Sequence, residues 1–276
     1  MSAYLDIAEL SIALRADQSR RLLRGVSLSV APGEVRGLVG ESGAGKTMIG
    51  RTIFDILPRA AAVAGGSVRL GGSDLLAMRP RERRKLIART SALIPQDPLT
   101  ALNPVRRIDG QITDRLTAIL GLSRAAARER ALQLLKEVHI ADPERVLASY
   151  PHQLSGGMRQ RVLIASAFAA EPKLIVADEP TTALDVMIQA QILELLGGIA
   201  RDFGMGIILV THDLGVVAQV CDRVVVMYGG IVAEENDAAT LFRDPQHPYT
   251  QQLLGSFPDV AHPDRALRGI PGTPPR

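Results

Sequence analysis

Apolar residues alternate with polar ones near both ends of the chain and take helical spacing in the middle. Ile7, Leu10 and Ile12, then Val26, Leu28 and Val30, give the alternation of half-buried strands, with Pro32-Gly33 as a turn, so residues 4–39 read as strands. The last of these, 34–39, runs into a glycine loop, and 46–57 then reads as a helix stopped by Pro58. Gly65-Gly66 and Gly71-Gly72 bracket a short strand at 67–70. A basic helix starts near Pro80, and a strand follows at 91–94. Between 105 and 150 the period changes. Leu116, Ile119 and Leu120, then Leu132, Leu134, Leu135 and Val138, repeat at helical spacing with few strand signals. Strands return at 174–177 and 207–210, separated by a helix at 186–202 whose predicted face is Ile188, Ile192, Leu195 and Ile199. Residues 223–228 and 231–235 make a hairpin around Gly229-Gly230.

Strands that alternate with helices predict an α/β fold with a parallel sheet covered on both faces. The helical stretch predicts a lobe, about 97–170, inserted into a domain spanning 1–257. Residues 258–276 are rich in Pro and read as an extended tail.

Charge and composition narrow the function classes. The net charge of +3 is close to balanced, and the basic run at 79–89 reads first as a solvated helix face. Aromatic residues make up 3% and Trp is absent, which argues against a stacking platform for nucleic acid. Cys221 is the only cysteine, so neither an intrachain disulfide nor a cysteine metal cluster can form, as in a reducing compartment. The N-terminus carries acids where a signal peptide would be basic, and no apolar run approaches the ~20 residues of a membrane helix. A membrane role is therefore expected only through a partner.

Three motifs carry chemistry. Gly40-Glu41-Ser42-Gly43-Ala44-Gly45-Lys46-Thr47 matches the phosphate loop and lies between a predicted strand and a predicted helix. Glycines let successive N–H groups form an anion nest, and the following helix adds its positive end. Lys46 would reach the phosphates of a nucleotide and Thr47 would ligate Mg²⁺. Leu174-Ile175-Val176-Ala177-Asp178-Glu179 is an apolar strand ending in two acids; Asp178 can hold Mg²⁺ and Glu179 can orient or deprotonate an attacking water. In Leu154-Ser155-Gly156-Gly157-Met158-Arg159-Gln160-Arg161, residues 155–157 lie before a helix predicted at 158–169, with Ser155 as its cap and Gly156 and Gly157 permitting close approach of an anion.

With the phosphate loop, this octet resembles the signature of ATP-binding cassette (ABC) ATPases. The resemblance implies a P-loop NTPase core of RecA type, an N-terminal antiparallel β subdomain and an inserted helical lobe. It also implies ATP sites completed by Ser155, Gly156 and Gly157 of a second ATPase subunit, identical or homologous. On their own, Gln96 and Asp185 read as loop surface and His212 as a capping or packing residue. By resemblance, Gln96 is the Q-loop glutamine sensing Mg²⁺ and water, His212 the switch histidine at the γ-phosphate, and Asp185 the acid at the dimer seam. Family members stack adenine on an aromatic near the end of the first strand; here that stretch is Ile12-Ala13-Leu14-Arg15, where Leu14 could offer only apolar contact and Arg15 could stack as a cation.

Within the family, Gln96-Asp97-Pro98-Leu99-Thr100-Ala101-Leu102-Asn103-Pro104, Tyr150-Pro151-His152-Gln153, Asp244-Pro245-Gln246-His247-Pro248-Tyr249-Thr250 and Ile270-Pro271-Gly272-Thr273-Pro274-Pro275 resemble segments of oligopeptide and dipeptide importer ATPases. That implies two membrane permease subunits, a substrate-binding protein acting indirectly, and a peripheral place on the cytoplasmic face of the inner membrane. Neither nucleic acid nor an iron–sulfur cluster is expected. The same motifs serve importers of nickel, opines and glycosides. A soluble ABC ATPase acting on DNA or ribosomes would usually carry a coiled-coil insertion or a second cassette, and a GTPase would want Asn-Lys-x-Asp; this sequence has none of these.

Overall fold

The computed structural model describes residues 3–97, 101–181 and 186–256. The chain divides into two compact units, Met1–Arg79 with Gly206–Arg276, and Pro80–Met205.

The first unit holds two groups of strands. Strands β1 (Leu5–Leu14), β2 (Arg21–Val30), β4 (Ala61–Leu70) and β5 (Ser73–Asp74) form an antiparallel sheet in the order β2-β1-β4-β5. Leu5, Ile7, Leu10 and Ile12 of β1 are buried, as alternation requires. Strand β4 is longer than the predicted 67–70. Its first half, Ala61-Ala62-Val63-Ala64-Gly65-Gly66, has Val63 as its one strand former and is held by pairing with β1, as in Leu14↔Ala61 and Ser11↔Gly65. Gly66 has φ +91, and a Cβ there would lie 2.5 Å from the Glu9 carbonyl oxygen. Only glycine passes at that bulge.

Strand β3 (Val35–Val39) pairs in parallel with β8 (Gly206–Val210) and β9 (Arg223–Tyr228), and β9 pairs antiparallel with β10 (Ile231–Asp237). All five residues of β3 are buried, including Arg36, whose guanidinium meets Glu34 at 2.8 Å and Glu235 at 2.7 Å. Helix α1 (Lys46–Ile53) follows β3 and stops four residues short of the predicted end. Asp55 takes φ +57, and the backbone N–H of Ile56 closes the turn onto the carbonyl of Arg51.

Helix α8 (Leu214–Val220) packs near Gly37, where an added Cβ would meet Cys221 Sγ at 3.0 Å and Val217 Cγ1 at 3.2 Å. Burial, then the charge of Asp222, pushes the Cys221 thiol up to about 12. The native thiol therefore stays protonated. Reaction with a disulfide reagent at pH 8 is expected to run at least about a hundredfold slower than in the unfolded chain, and comparable rates would place Cys221 at the surface. Helices α9 (Ala238–Arg243) and α10 (Pro248–Gly255) complete the described part of this unit.

The second unit contains the parallel pair β6 (Ser91–Ile94) and β7 (Leu174–Asp178), in register from Ser91↔Leu174 to Ile94↔Ala177. Around it are α2 (Pro80–Thr90), α3 (Ile108–Leu120), α4 (Arg124–Glu137), α5 (Pro143–Ala148), α6 (Gly156–Phe168) and α7 (Val186–Phe203). Ile108, Ile112 and Leu116 of α3 and Ala127, Ala131, Leu134 and Leu135 of α4 supply the helical core; the alanines let α4 lie close to its neighbours α3 and α6. The buried stripe of α7 is Ile192, Leu193, Leu196 and Ala200, which keeps Ile192 of the predicted face but not Leu195 or Ile199; the Ile188 side chain lies outside the described residues. Leu195 and Ile199 instead line a cleft of about 650 Å³ with Glu137, His139 and Phe203. The helix is apolar over a wide arc, so periodicity alone left two faces to choose between. Among the described residues no helix is long and apolar enough to cross a membrane.

Candidate functional site

The phosphate loop of the first unit grows out of β3. Gly40, Gly43 and Gly45 take φ of +144, +86 and +99, conformations that L side chains rarely adopt. At Gly40 a Cβ would lie 2.2 Å from the Met227 carbonyl oxygen; at Gly45 it would lie 2.5 Å from Leu23 Cδ2. The outer side of the loop is thus walled by the end of β9 and by β2, and the N–H of Gly230 donates to the carbonyl of Ala44 at 3.2 Å. Gly43 differs: nothing lies within 4 Å of an added Cβ, so the loop is open at its tip. Lys46, 6% exposed, donates from Nζ to the carbonyls of Gly40 at 2.7 Å and Glu41 at 2.9 Å. Thr47 follows it in the first turn of α1.

Strands β3 and β8 run in register, Leu38 beside Val210, so Gly40 and His212 each stand two residues beyond a matched pair. His212 is exposed. Asp213 next to it caps α8, accepting from the N–H groups of Gly215 at 2.9 Å and Val216 at 3.3 Å. Leu14 closes β1 opposite Ala61 and is half-buried; the β-sheet side chain packed against the loop is Leu23 of β2, two pairs along the ladder from the hairpin end.

In the second unit Asp178 ends β7 and Glu179 follows it at φ +47. A non-glycine residue in this region carries strain of about 1 kcal/mol or more, which the surrounding structure must hold. Gln96, just beyond β6, donates from Nε2 to Glu179 Oε2 at 2.8 Å. The parallel register of β6 and β7 brings the two together across 83 positions of sequence.

The octet opens α6. Ser155 is its N-cap, with Oγ accepting from the N–H of Met158 at 3.3 Å, and the helix begins at Gly156, two residues earlier than predicted. Gly156 and Gly157 therefore occupy the first turn, where their poor helix propensity costs least. Ser155 and Gly156 are exposed, and a Cβ on Gly156 would meet nothing within 4 Å. The other end of the octet faces inward: Arg161 donates from Nη1 to the carbonyl of Val138 at 2.8 Å and from Nη2 to Gln191 Oε1 at 2.7 Å. Asp185, Pro98-Leu99-Thr100 and the Ile270 segment lie outside the described residues.

A family model described as "ABC transporter" matches residues 23–182, more than half of the chain. The chain belongs to the ABC transporter family. A second model, "Oligopeptide/dipeptide transporter, C-terminal region", matches residues 233–276. The ABC chain is 45% identical over 274 residues to a dipeptide transport ATP-binding protein of Haemophilus influenzae, covering 99% of this chain and 83% of that protein. It is 43% identical to an oligopeptide transport ATP-binding protein of Bacillus subtilis, covering 100% and 78%. Among solved structures, a dimeric post-hydrolysis ATP-binding cassette bound to ADP and Pi superposes with a TM-score of 0.75 at 26% identity, covering 85% of this chain and 98% of that one. The fold is that of an ABC ATPase.

The ABC motifs are visible in the sequence because each is a contiguous run of residues. The partners that hold them are not. Met227, Gly230 and Leu23 wall the phosphate loop from distant strands, and Tyr249 Oη accepts the N–H of Glu41 at 3.1 Å. In the sequence Tyr249 stands out only as part of a family segment without a chemical role.

Proposed function

We propose that this ABC ATPase is the nucleotide-binding subunit of an importer for di- or oligopeptides, working as one of a pair of ATPase subunits beneath separate membrane permeases. The observation that carries the cargo is the continuity of likeness: identity to dipeptide and oligopeptide transport proteins runs over nearly the whole chain, and the C-terminal match is to a region described for such transporters. Inactivating the chain in its own cells should abolish uptake of labelled di- and tripeptides, restored by the wild type but not by Lys46→Ala. Normal peptide uptake with lost uptake of nickel or a glycoside would transfer the engine to another cargo.

Mg·ATP supplies the phosphoryl group to be transferred and, through Mg²⁺, a positive charge beside it. Each unit by itself offers groups of suitable chemistry: the first a glycine loop open at Gly43 with a buried lysine at its base, the second two acids at a strand end. In this reading Lys46 holds the phosphates, Thr47 and Asp178 hold Mg²⁺ with Gln96, and Glu179 takes or orients the proton of the attacking water. His212 contacts the γ-phosphate, Leu14 the adenine, and Asp185 the seam between subunits.

Ser155, Gly156 and Gly157 act on the nucleotide of the other subunit. Gly156→Ala tests this, because the added methyl has open space in its own chain. Thermal stability should hold or rise, since alanine outranks glycine in a helix by about 1 kcal/mol. ATPase activity should fall at least about tenfold, because the methyl meets the partner's nucleotide. Full activity in the folded variant would remove Gly156 from the composite site.

A further inference from the structure

One peptide unit of the phosphate loop is held at both ends. The bond joining Gly40 to Glu41 presents its carbonyl oxygen to Lys46 Nζ at 2.7 Å and its N–H to Tyr249 Oη at 3.1 Å. Tyr249 lies 208 positions from Glu41 and is 6% exposed. Its ring packs on Tyr228 with centroids 4.4 Å apart. Tyr228 directly follows Met227, whose carbonyl confines Gly40.

The segment that delivers Tyr249 is itself fastened. His247 caps α10, its Nδ1 accepting from the N–H of Tyr249 at 3.1 Å, and Pro248 starts the helix. The carboxylate of Glu234, on β10, accepts the N–H groups of Gln246 and His247, each at 2.9 Å. Burial pushes the Glu234 carboxyl up. The backbone hydrogen bonds from Gln246 and His247, with the nearby His247 ring, outweigh it and hold the group below the usual carboxylate range. Glu234 is thus ionised at neutral pH and retains both acceptors.

We infer that Tyr249 is a positioning residue for nucleotide binding: its hydroxyl fixes the rotation of the 40–41 peptide and, through the carbonyl of that peptide, the place of the Lys46 ammonium. The inference rests on the assignment of Lys46 to the phosphates. A peptide unit is planar, so a fixed N–H direction fixes the C=O direction. Glycine at position 40 tolerates rotations that other residues resist. Without the hydroxyl, a backbone N–H in a part-buried setting loses its acceptor, and the peptide is free to turn toward another. The carbonyl then swings, and the Lys46 Nζ that it holds is displaced. The C-terminal segment from Glu234 to Tyr249 thereby sets the affinity of a loop at the other end of the chain.

The test uses the full chain and calorimetric titration with Mg·ADP, which avoids turnover. Tyr249→Phe keeps the ring and removes only Oη. It should weaken Mg·ADP binding about three- to tenfold at unchanged stoichiometry, with a melting midpoint in the absence of nucleotide within about 3 °C of wild type. In steady state the KM for ATP should rise while kcat holds. Tyr228→Phe, which keeps the stacked ring, should bind as wild type. Wild-type affinity in Tyr249→Phe, or an equal loss in Tyr228→Phe, would overturn the inference. Lys46→Ala separates the two readings: if it loses binding while Tyr249→Phe does not, the positioning role alone fails; if it binds as wild type, the assignment of Lys46 fails and the inference with it.

Discussion

Glu179→Gln will bind nucleotide as tightly as the wild type and hydrolyse it about two to four orders of magnitude more slowly. The geometry explains why the substitution is clean. Glu179 is half-buried at the end of a buried strand, and its contact with Gln96 is a single hydrogen bond in which Glu179 accepts. A glutamine carbonyl oxygen can accept the same bond, so the side chain keeps its place. What the amide cannot do is take a proton from water. The backbone at φ +47 supports this reading, because strain in a residue that packs no core must be held by its surroundings. Phosphate release under saturating Mg·ATP gives the turnover, and equilibrium titration gives the affinity. Turnover near that of the wild type would take Glu179 out of the chemistry; a matching collapse of affinity would make it a binding residue.

Gly40→Ala will be the most damaging single-methyl change in the phosphate loop. The methyl would lie 2.2 Å from the Met227 carbonyl oxygen and 3.1 Å from its carbon, both backbone atoms of a strand buried at that point. No side-chain rotation relieves such a contact. The loop must move off β9 or the strand must bend, at a cost on the order of 3 kcal/mol or more, including the strain of a positive φ. That predicts a melting midpoint lower by roughly 6 °C or more and loss of measurable Mg·ADP binding. Gly43→Ala is the control. It shares a positive φ but meets nothing within 4 Å, so only the conformational penalty of about 1–2 kcal/mol applies. Equal stability of the two variants would show that the wall behind Gly40 yields.

The sequence made the chemistry more legible than the packing, for a physical reason. Phosphate binding and water activation need particular residue types side by side, so the loop at Gly40, the pair Asp178-Glu179 and the octet at Leu154 are visible as written. Strand β4 is less so. Its alanines and glycines carry no intrinsic preference, and the strand exists because β1 offers a ladder to pair with. Helix α1 ends early although Ile56 and Leu57 continue the apolar pattern, and Ile56 is left 52% exposed. The pattern alone could not tell an exposed isoleucine from a core one. On α7 a wide apolar arc gave Leu195 and Ile199 the same claim to the core as Leu193 and Leu196. The Tyr249 contact is the extreme case, because no local rule links a tyrosine near one end of a chain to an amide near the other.

The open space beside Gly156 has an evolutionary consequence. A side chain added there meets nothing in its own chain, so variant libraries scored for abundance should accept many residues at this position. The same libraries scored for growth on peptides will accept almost none. If Gly156 completes the partner's site as proposed, a split between the two scores there marks the surface on which one subunit answers to another, and in a pair of unlike ATPases one copy can lose its glycine and keep its fold. Asymmetric transport engines can arise by that route, with the first step invisible to any measure of stability.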